Sequence, residues 1–507
     1  MRQTINRRDF LKLAGLLPLS LAAPRFMQTS LGKKNVIIIV FDAFSAYNIS
    51  LYGYSRATTP NIAELAERAI VYNNHYAGGN FTTTGTASLL TGTNPWTHRA
   101  FELFGEVVPA VAAHNIFNVF KDHYRLAYTH NLVANVLLKQ FRNDIDELIP
   151  RELLLLGSYG SFVQTLFGND EDIASVGWTR NIKLEETGYA YSLFLSQLYQ
   201  PLQDNLVKNI RSQFPRGIPT ANYDDGFVLG QGIDWISERL IAAPQPFLGY
   251  FHFLPPHSPY RTTLEFYKKF NNDGFEPTEK PLSVFSQKQD KHDLLRRRTE
   301  YDEYILHVDK EFGRMYNHLE SSGLLENTIL VLTSDHGELQ ERGISGHSTA
   351  TLYEPVIRIP LLIFEPGRKT RLDINTTTSA IDILPTLLHL TDQAIPDWAE
   401  GTILPPFAPT VQDPDRKIYV MRAHKNKQDQ PIATSASITM MKEQYKIHYY
   451  MNYPDLEKNG QNELISLFDV QTDPEELVDL SISHKKIANA LLEELKTKLA
   501  EENKPFL

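Results

Sequence analysis

Hydrophobic positions along the chain change period repeatedly, and those changes mark out its elements. "NVIIIVFD", Asn35–Asp42, is an unbroken β-branched run that ends on an acid. A run without polar alternation predicts a strand buried on both faces, as in a parallel sheet. "TTPNIAELAERA" follows, with Pro60 at a helix start and apolar residues at helical spacing. "AIVYNNHYA" predicts a second strand. Next, "NFTTTGTASLLTG", Asn80–Gly92, sets three threonines before a helical period from Gly85 to Thr91, with Gly92 as its stop. The alternation recurs. A helix ends over Phe117–Lys121, Tyr124–Tyr128 is a strand, "DWISERLIAA" is helical and Pro246–Leu254 is a strand. Residues 293–322 carry a long helical period with Tyr301, Ile305, Val308, Phe312 and Met315 on one face and Gly323 as C-cap. "NTILVLTSDHGE" and "RIPLLIFEPG" predict further strands, and "AIDILPTLLHL" a helix.

Strands alternating with helices predict an α/β fold: a doubly wound, mostly parallel sheet with helices on both faces. Residues 141–230 break the rhythm and read as an insertion over the sheet. After about residue 415, "IYVMRAH", "SASITMM", "YKIHYYM" and "LISLFDV" predict short antiparallel strands, and Ile487–Glu502 a final helix. The chain thus divides into a catalytic-type α/β domain over 31–414 and a smaller α+β subdomain over 415–507.

Residues 1–30 stand apart. Arg7-Arg8 precede an apolar run from Leu13 to Ala23, with small residues near Ala22-Ala23. This reads as a twin-arginine export signal, which implies contact with the export machinery and a periplasmic or extracellular location. The other reading is a peripheral N-terminal helix. The run is shorter than the ~20 residues of a membrane span, and no later segment reads as one.

The composition, 42% hydrophobic and 22% charged over 507 residues, is that of an ordinary globular chain. A net charge of −10 gives no global basic field for nucleic acid. Arg296-Arg297-Arg298 reads as a solvated helix face. The absence of cysteine excludes disulfides, thiolate zinc sites and a cysteine nucleophile.

Candidate chemistry gathers where strands end, the place for a site in an open α/β sheet. Asp42 closes one strand, and Asp335-His336 follow another. Two carboxylates and an imidazole can hold one divalent cation; a capping Asp in a turn is the plainer reading. The threonines stand where helix N–H groups and dipole favour an anion. One could become an alkoxide beside a metal, or simply cap the helix. His252 and His257 follow a strand and His347 follows the Asp-His pair; each could protonate a leaving oxygen or hold an anionic one.

Together these segments resemble the sulfatase-like branch of the alkaline phosphatase superfamily. The resemblance runs from Asn35 to about Ser481 through "NVIIIVFDAF", "LYGYSRATTPNIAEL", "ASLLTG", "YFHFLPPHSPY", "LTSDHGE", "LYEPVIRIPLLIFEPG", "SAIDILPTLLHL" and "LFDVQTDPEELVDL". It implies an alkaline phosphatase-like fold and one divalent metal (Zn, Mn, Ca or Mg) held by Asp42, Asp335, His336 and the Thr82 oxygen. In sulfatases the nucleophile comes from the Cys or Ser of a Cys-x-Pro-Ser-Arg segment, oxidised to formylglycine. Counting back from Ala87–Gly92 puts Thr82 at that place, Thr84 at the proline and Thr86 at the arginine. Threonine cannot become formylglycine. The usual second acid is Ala43, and where the family has Lys-x-His this chain has only His130 and Asn131.

Other branches use an unmodified threonine. The expected protein is therefore an exported, metal-dependent hydrolase or transferase whose Thr82 attacks a phosphoester, with Thr83 and Thr84 as fallback nucleophiles. His257 and His347 would position the transferred group or protonate the leaving oxygen. The substrate would be a small-molecule, glycan-linked or lipid-linked anionic ester. Two alternatives remain open: a sulfuric ester hydrolase without formylglycine, and an inactive glycan- or surface-binding relative.

Overall fold

The first strand, β1 (Asn35–Asp42), is buried at every position. Its side chains divide by parity between two cores: Ile37, Ile39 and Phe41 enter one, Val36, Ile38 and Val40 the other. That is the two-residue period of an extended chain covered on both faces, as its unbroken apolar run requires. The computed structural model describes residues 33–156, 208–221, 226–408, 415–458 and 460–507. The twin-arginine segment and most of the 141–230 span lie outside the described residues.

Along the described chain follow α1 (Pro60–Ala66), β2 (Ile70–Tyr72), α2 (Thr82–Thr91), β3 (Tyr124–Thr129), α3 (Leu132–Gln140), β4 (Glu147–Leu148), α4 (Leu229–Ile241), β5 (Phe247–Pro256), α5 (Lys291–Ser321), β6 (Thr328–Thr333), β7 (Leu361–Phe364), β8 (Leu372–Ile374) and α6 (Ile383–Leu390). The strands form one sheet in the order β8-β2-β7-β6-β1-β5-β3-β4. In it β7 runs antiparallel to both its neighbours, and the other pairs are parallel. Tyr301, Ile305, Val308, Phe312 and Met315 of α5 pack on one face beside α4. Burial of each contributes roughly 1.5–3 kcal/mol. Leu89 of α2, Leu137 of α3 and Leu384 of α6 cover the other face. The α/β fold with helices on both faces is therefore the one the hydrophobic periods predict.

Two local expectations change. Arg296 lies on a solvated face beside Asp293 and Glu300, but Arg298 is buried. It pairs with Glu341 at 3.1 Å and donates to the Gln340 carbonyl. Helical spacing sets position 298 on the same side as Tyr301 and Asp302, which face inward. Within the 141–230 span, Glu147–Leu148 pairs with β3 as the sheet's last strand, with Glu147 bound by Arg239. A two-residue strand is too short to show a period.

The C-terminal strands β9 (Lys417–Arg422), β10 (Ala436–Lys442), β11 (Tyr445–Met451) and β12 (Glu463–Asp469) form an antiparallel sheet in sequence order. The last helix, α7 (Lys485–Asn503), lays Ala488, Leu491, Leu495 and Leu499 on it. Trp96 and Phe101 enter the same core, so this smaller sheet belongs to one compact unit, Lys34–Leu507. A buried ion cluster adds to the join. Lys446 of β11 lies 2.5 Å from Glu354 and 2.6 Å from Glu476, and His448 lies 3.2 Å from Glu476. Burial lowers the lysine's pKa, but the two carboxylates outweigh it and raise the value overall. Burial likewise opposes ionisation of Glu476, yet Lys446 and His448 hold it well below the usual carboxylate range.

Candidate active site

Sheet register brings the chemistry to one edge. Val40 of β1 is level with His252 of β5 and with Thr333 of β6, and His252 is level with Thr129 of β3. The residues just beyond these levels, Asp42, Asp335, His336 and Asn131, therefore converge at the carboxyl ends of the strands. The register shifts between Phe41 and Asp42, a bulge of the kind that redirects a side chain at a sheet end.

The convergence is tight and dry. His336 Nε2 lies 3.4 Å from Asp42 Oδ1 and 3.6 Å from Asp335 Oδ2. His252 Nε2 lies 3.4 Å from Asp42 Oδ2 and 3.7 Å from Asp335 Oδ2. All four side chains are fully buried. Burial and the neighbouring charge of Asp42 push the Asp335 carboxyl up to about 7. Asp42 is held low, because His257, His252 and His336 together outweigh its burial. Two carboxylates this close cannot both ionise without a compensating cation. His336 Nδ1 donates to the Gly337 carbonyl at 2.9 Å, so its Nε2 carries the lone pair facing the carboxylates.

A divalent cation suits these groups. Asp42 Oδ1, Asp335 Oδ2 and His252 Nε2 are buried without a hydrogen-bond partner, each a cost of about 1–3 kcal/mol unless something pairs with it. Ligand atoms of Asp42, Asp335 and His336 all lie within 4.8 Å of one another. Oxygen and imidazole donors match Zn²⁺ or Mn²⁺ better than Ca²⁺.

The threonines sit differently from the expectation. The helix α2 begins at Thr82, not Gly85, and Phe81 is its N-cap with no side-chain cap bond. The threonines thus occupy its first turn, where N–H groups lack intrahelical partners, and none serves as the cap. Thr82 Oγ1 lies 3.4 Å from His336 Nε2 and 3.4 Å from Asn131 Nδ2. Thr84 donates to the Ala100 carbonyl at 2.8 Å. Thr83 is fully buried with its hydroxyl unpartnered. Gly85 permits a close approach: a Cβ there would stand 2.1 Å from the Asp335 carbonyl oxygen. Only glycine lets the first turn of α2 press against the end of β6.

His257 and His347 line a cleft of about 630 Å³ that opens onto Thr82. Their rings lie 4.8 Å apart, and His347 lies 4.3 Å from His336. His257 Nδ1 donates to the Ser258 carbonyl. His347 Nδ1 lies 3.3 Å from Glu338. Burial lowers the His347 pKa, but Glu338 outweighs it and raises the value overall. The six sequence-predicted residues, Asp42, Thr82, His257, Asp335, His336 and His347, thus share one neighbourhood.

Two residues, Asn131 and Glu338, escaped assignment, and a third sits in another role. His252, offered as a proton donor or anion holder, lies within β5 and faces Asp42 and Asp335 instead. Asn131 stood only for a missing family residue, yet it donates to Asp42 as well as Thr82. Glu338 stands in the quoted "TSDHGE", two residues from His336. His130, the other residue at the Lys-x-His place, is buried against Phe227 at 4.3 Å, and burial lowers its pKa to about 3. It is a neutral core residue.

Comparisons with known proteins identify the family and the fold. The family profile "Sulfatase" matches residues 34–393, and "N-sulphoglucosamine sulphohydrolase, C-terminal" matches 347–505. Arylsulfatase K of Canis lupus familiaris is 26% identical over 304 residues, 53% of this chain and 54% of that protein. The chain thus matches about half the length of that relative. "Uncharacterized sulfatase YidJ" of Escherichia coli (strain K12) is 23% identical over 393 residues, covering 73% and 70% respectively. Phosphonate monoester hydrolase of Agrobacterium radiobacter shares the fold, with a TM-score of 0.61 at 17% identity over 93% of this chain and 96% of that one.

Proposed function

The chain belongs to the sulfatase family, and on that premise we propose that it is an exported, metal-dependent ester hydrolase or transferase acting on phosphoesters through Thr82. The observation that carries this reading is a hydroxyl, not a formylglycine precursor, standing 3.4 Å from His336 Nε2 beside unpaired carboxylate oxygens. Asp42, Asp335, His336 and the Thr82 oxygen would hold the cation, with His252 close behind them. When bound, the cation lowers the pKa of the Thr82 hydroxyl and offsets negative charge on the transferred group.

The chain's own groups supply the rest. Asn131 donates to both Asp42 and Thr82 and so fixes the nucleophile's orientation. The open N–H groups of the first turn of α2 face an anion favourably. Thr82 Oγ1, its proton released to solvent in the cleft, forms the bond to phosphorus as the bond to the leaving oxygen breaks. His347, kept basic by Glu338, or His257 beside it, donates a proton to that oxygen. Water or an acceptor hydroxyl then displaces the threonine, restoring the enzyme.

Sulfate ester hydrolysis is the second reading, favoured by the sulfatase names of the relatives. Paired assays of the exported protein on 4-nitrophenyl phosphate, phosphonate and sulfate esters separate the two. Turnover of the phosphorus esters at least about a hundredfold above the sulfate supports the Thr82 reading. A preference for sulfate overturns it, and no turnover of any ester supports an inactive binding protein. Export is tested by Arg7→Lys together with Arg8→Lys, which should retain the protein in the cytoplasm.

A further inference from the structure

The cleft over Thr82 carries little formal charge among its described lining residues, which include the hydroxyls of Thr220, Ser258 and Ser348. Besides Thr82, Asn131 and the two histidines, its wall includes Phe81, Leu103, Phe104, Leu132, Val133 and Leu254. Among the described lining residues there is no acid, and Arg261 is the one arginine or lysine. Among the described lining residues a multiply charged glycan would find only Arg261 and the two histidines as cationic partners, with apolar side chains facing its other anionic groups.

The rim is more telling. Leu103 and Phe104 are the middle residues of a turn closed by the Gly105 N–H, which donates to the Glu102 carbonyl at 2.8 Å. Phe104 has φ 62, a left-handed conformation that turns usually give to Gly or Asn. The turn instead holds a large aromatic ring there at a backbone cost. Leu103 is 46% and Phe104 52% exposed, so both lose water if an apolar group seats beside them. They lie on the same cleft as the hydroxyl proposed to react.

We infer that the organic substituent carried by the reacting ester is uncharged and apolar, an aryl or alkyl group seated against Leu103 and Phe104, and that these two residues set specificity. The inference rests on the Thr82 ester-cleaving reading. Among the described lining residues, Arg261 then serves one further anionic group on the substrate.

The test uses 4-nitrophenyl esters of methyl-, butyl-, phenyl- and 4-carboxyphenylphosphonic acid, with the leaving group constant. The wild-type enzyme should show kcat/KM rising from methyl to phenyl by about tenfold or more, with the carboxylated ring no better than phenyl. In Leu103→Ala/Phe104→Ala the phenyl-to-methyl ratio should fall to within about threefold of unity, and Phe104→Leu should recover part of it. Thermal melting of each variant, unchanged from wild type, separates lost contact from lost fold. A wild-type ratio near unity, a preference for the carboxylated ring, or a double variant that keeps the wild-type ratio overturns the inference while leaving Thr82 as nucleophile. Absence of turnover on all four esters overturns this inference alone if 4-nitrophenyl phosphate is cleaved, and the Thr82 reading with it if that ester is inert too.

Discussion

Gly85 of α2 and the carbonyl oxygen of Asp335 meet backbone to backbone: a Cβ on residue 85 would stand 2.1 Å from that oxygen. The contact joins the helix that carries Thr82 to the loop that carries Asp335 and His336. Gly85→Ala should push the two apart. We expect a loss of about 1–3 kcal/mol in stability from overpacking. We expect a larger relative loss in kcat, about a hundredfold, because an error of about 1 Å in a reacting group costs that much. Melting and steady-state kinetics on the same preparation read both. Full activity in a folded variant would mean that α2 is positioned by other contacts.

Thr82→Ala should lower kcat on a phosphoester by about a thousandfold or more, as removal of a nucleophile does elsewhere. Thr82→Ser keeps the hydroxyl and should retain most of the rate. Thr83→Ala and Thr84→Ala should act on stability instead, since Thr84 is spent on the Ala100 carbonyl. Mass spectrometry of the quenched reaction should find the phosphoryl group on the peptide that contains Thr82. Normal turnover by Thr82→Ala would remove the assignment.

Chelation followed by titration with Mn²⁺ or Zn²⁺ should raise the melting temperature, because a ligand that binds only the folded state adds about 2.7 kcal/mol at a hundredfold excess over its Kd. Asp42→Asn and Asp335→Asn should each abolish that rise. The apo protein should also be less stable than the loaded one, as its unpaired buried oxygens predict. Calorimetric titration that finds no binding would separate this chain from a metal-dependent mechanism.

The Lys446 cluster makes stability depend on pH in a defined sense. Glu476 has a depressed pKa in the folded protein. Its contribution is therefore fully present above the unfolded value of ~4.3 and is lost as pH falls through the folded one. Lys446 has a raised pKa; its contribution is present below the unfolded ~10.4 and is lost as pH rises through the folded one. Lys446→Met should cost about 3–5 kcal/mol at pH 7, because two buried carboxylates lose their cation. Glu476→Gln should flatten the acid side of the melting-temperature profile. A profile unchanged by Glu476→Gln would place the acid sensitivity elsewhere.

Much of the fold was legible because burial on both faces leaves unbroken apolar runs. Asn35–Asp42 reads as a strand from its eight residues alone, and the inward face of α5 from five residues at helical spacing. The start of α2 was not legible. Three β-branched threonines are indifferent helix formers, and the close approach that Gly85 permits is to a residue 250 positions later in the chain. The same limit hid Asn131 and Glu338, and the place of His252 beside the two carboxylates. Each acquires its meaning from a partner on another strand or loop, and no local pattern announces that partner. Arg298 shows the converse: three arginines in a row suggest solvent, but helix geometry sends the third to Glu341.

Asp42 and Asp335 are held together across almost the whole sheet order of synthesis: the Ala43 N–H that donates to Asp335 lies 292 residues away in sequence. No nascent chain shorter than this interval contains a complete set of cation donors. Closure of so long a loop is among the slow, non-local events of folding. A cation taken up there would therefore follow the pairing of β1 with β6. An ion held there would report that these strands are already paired, which would make metal content a measure of folding quality.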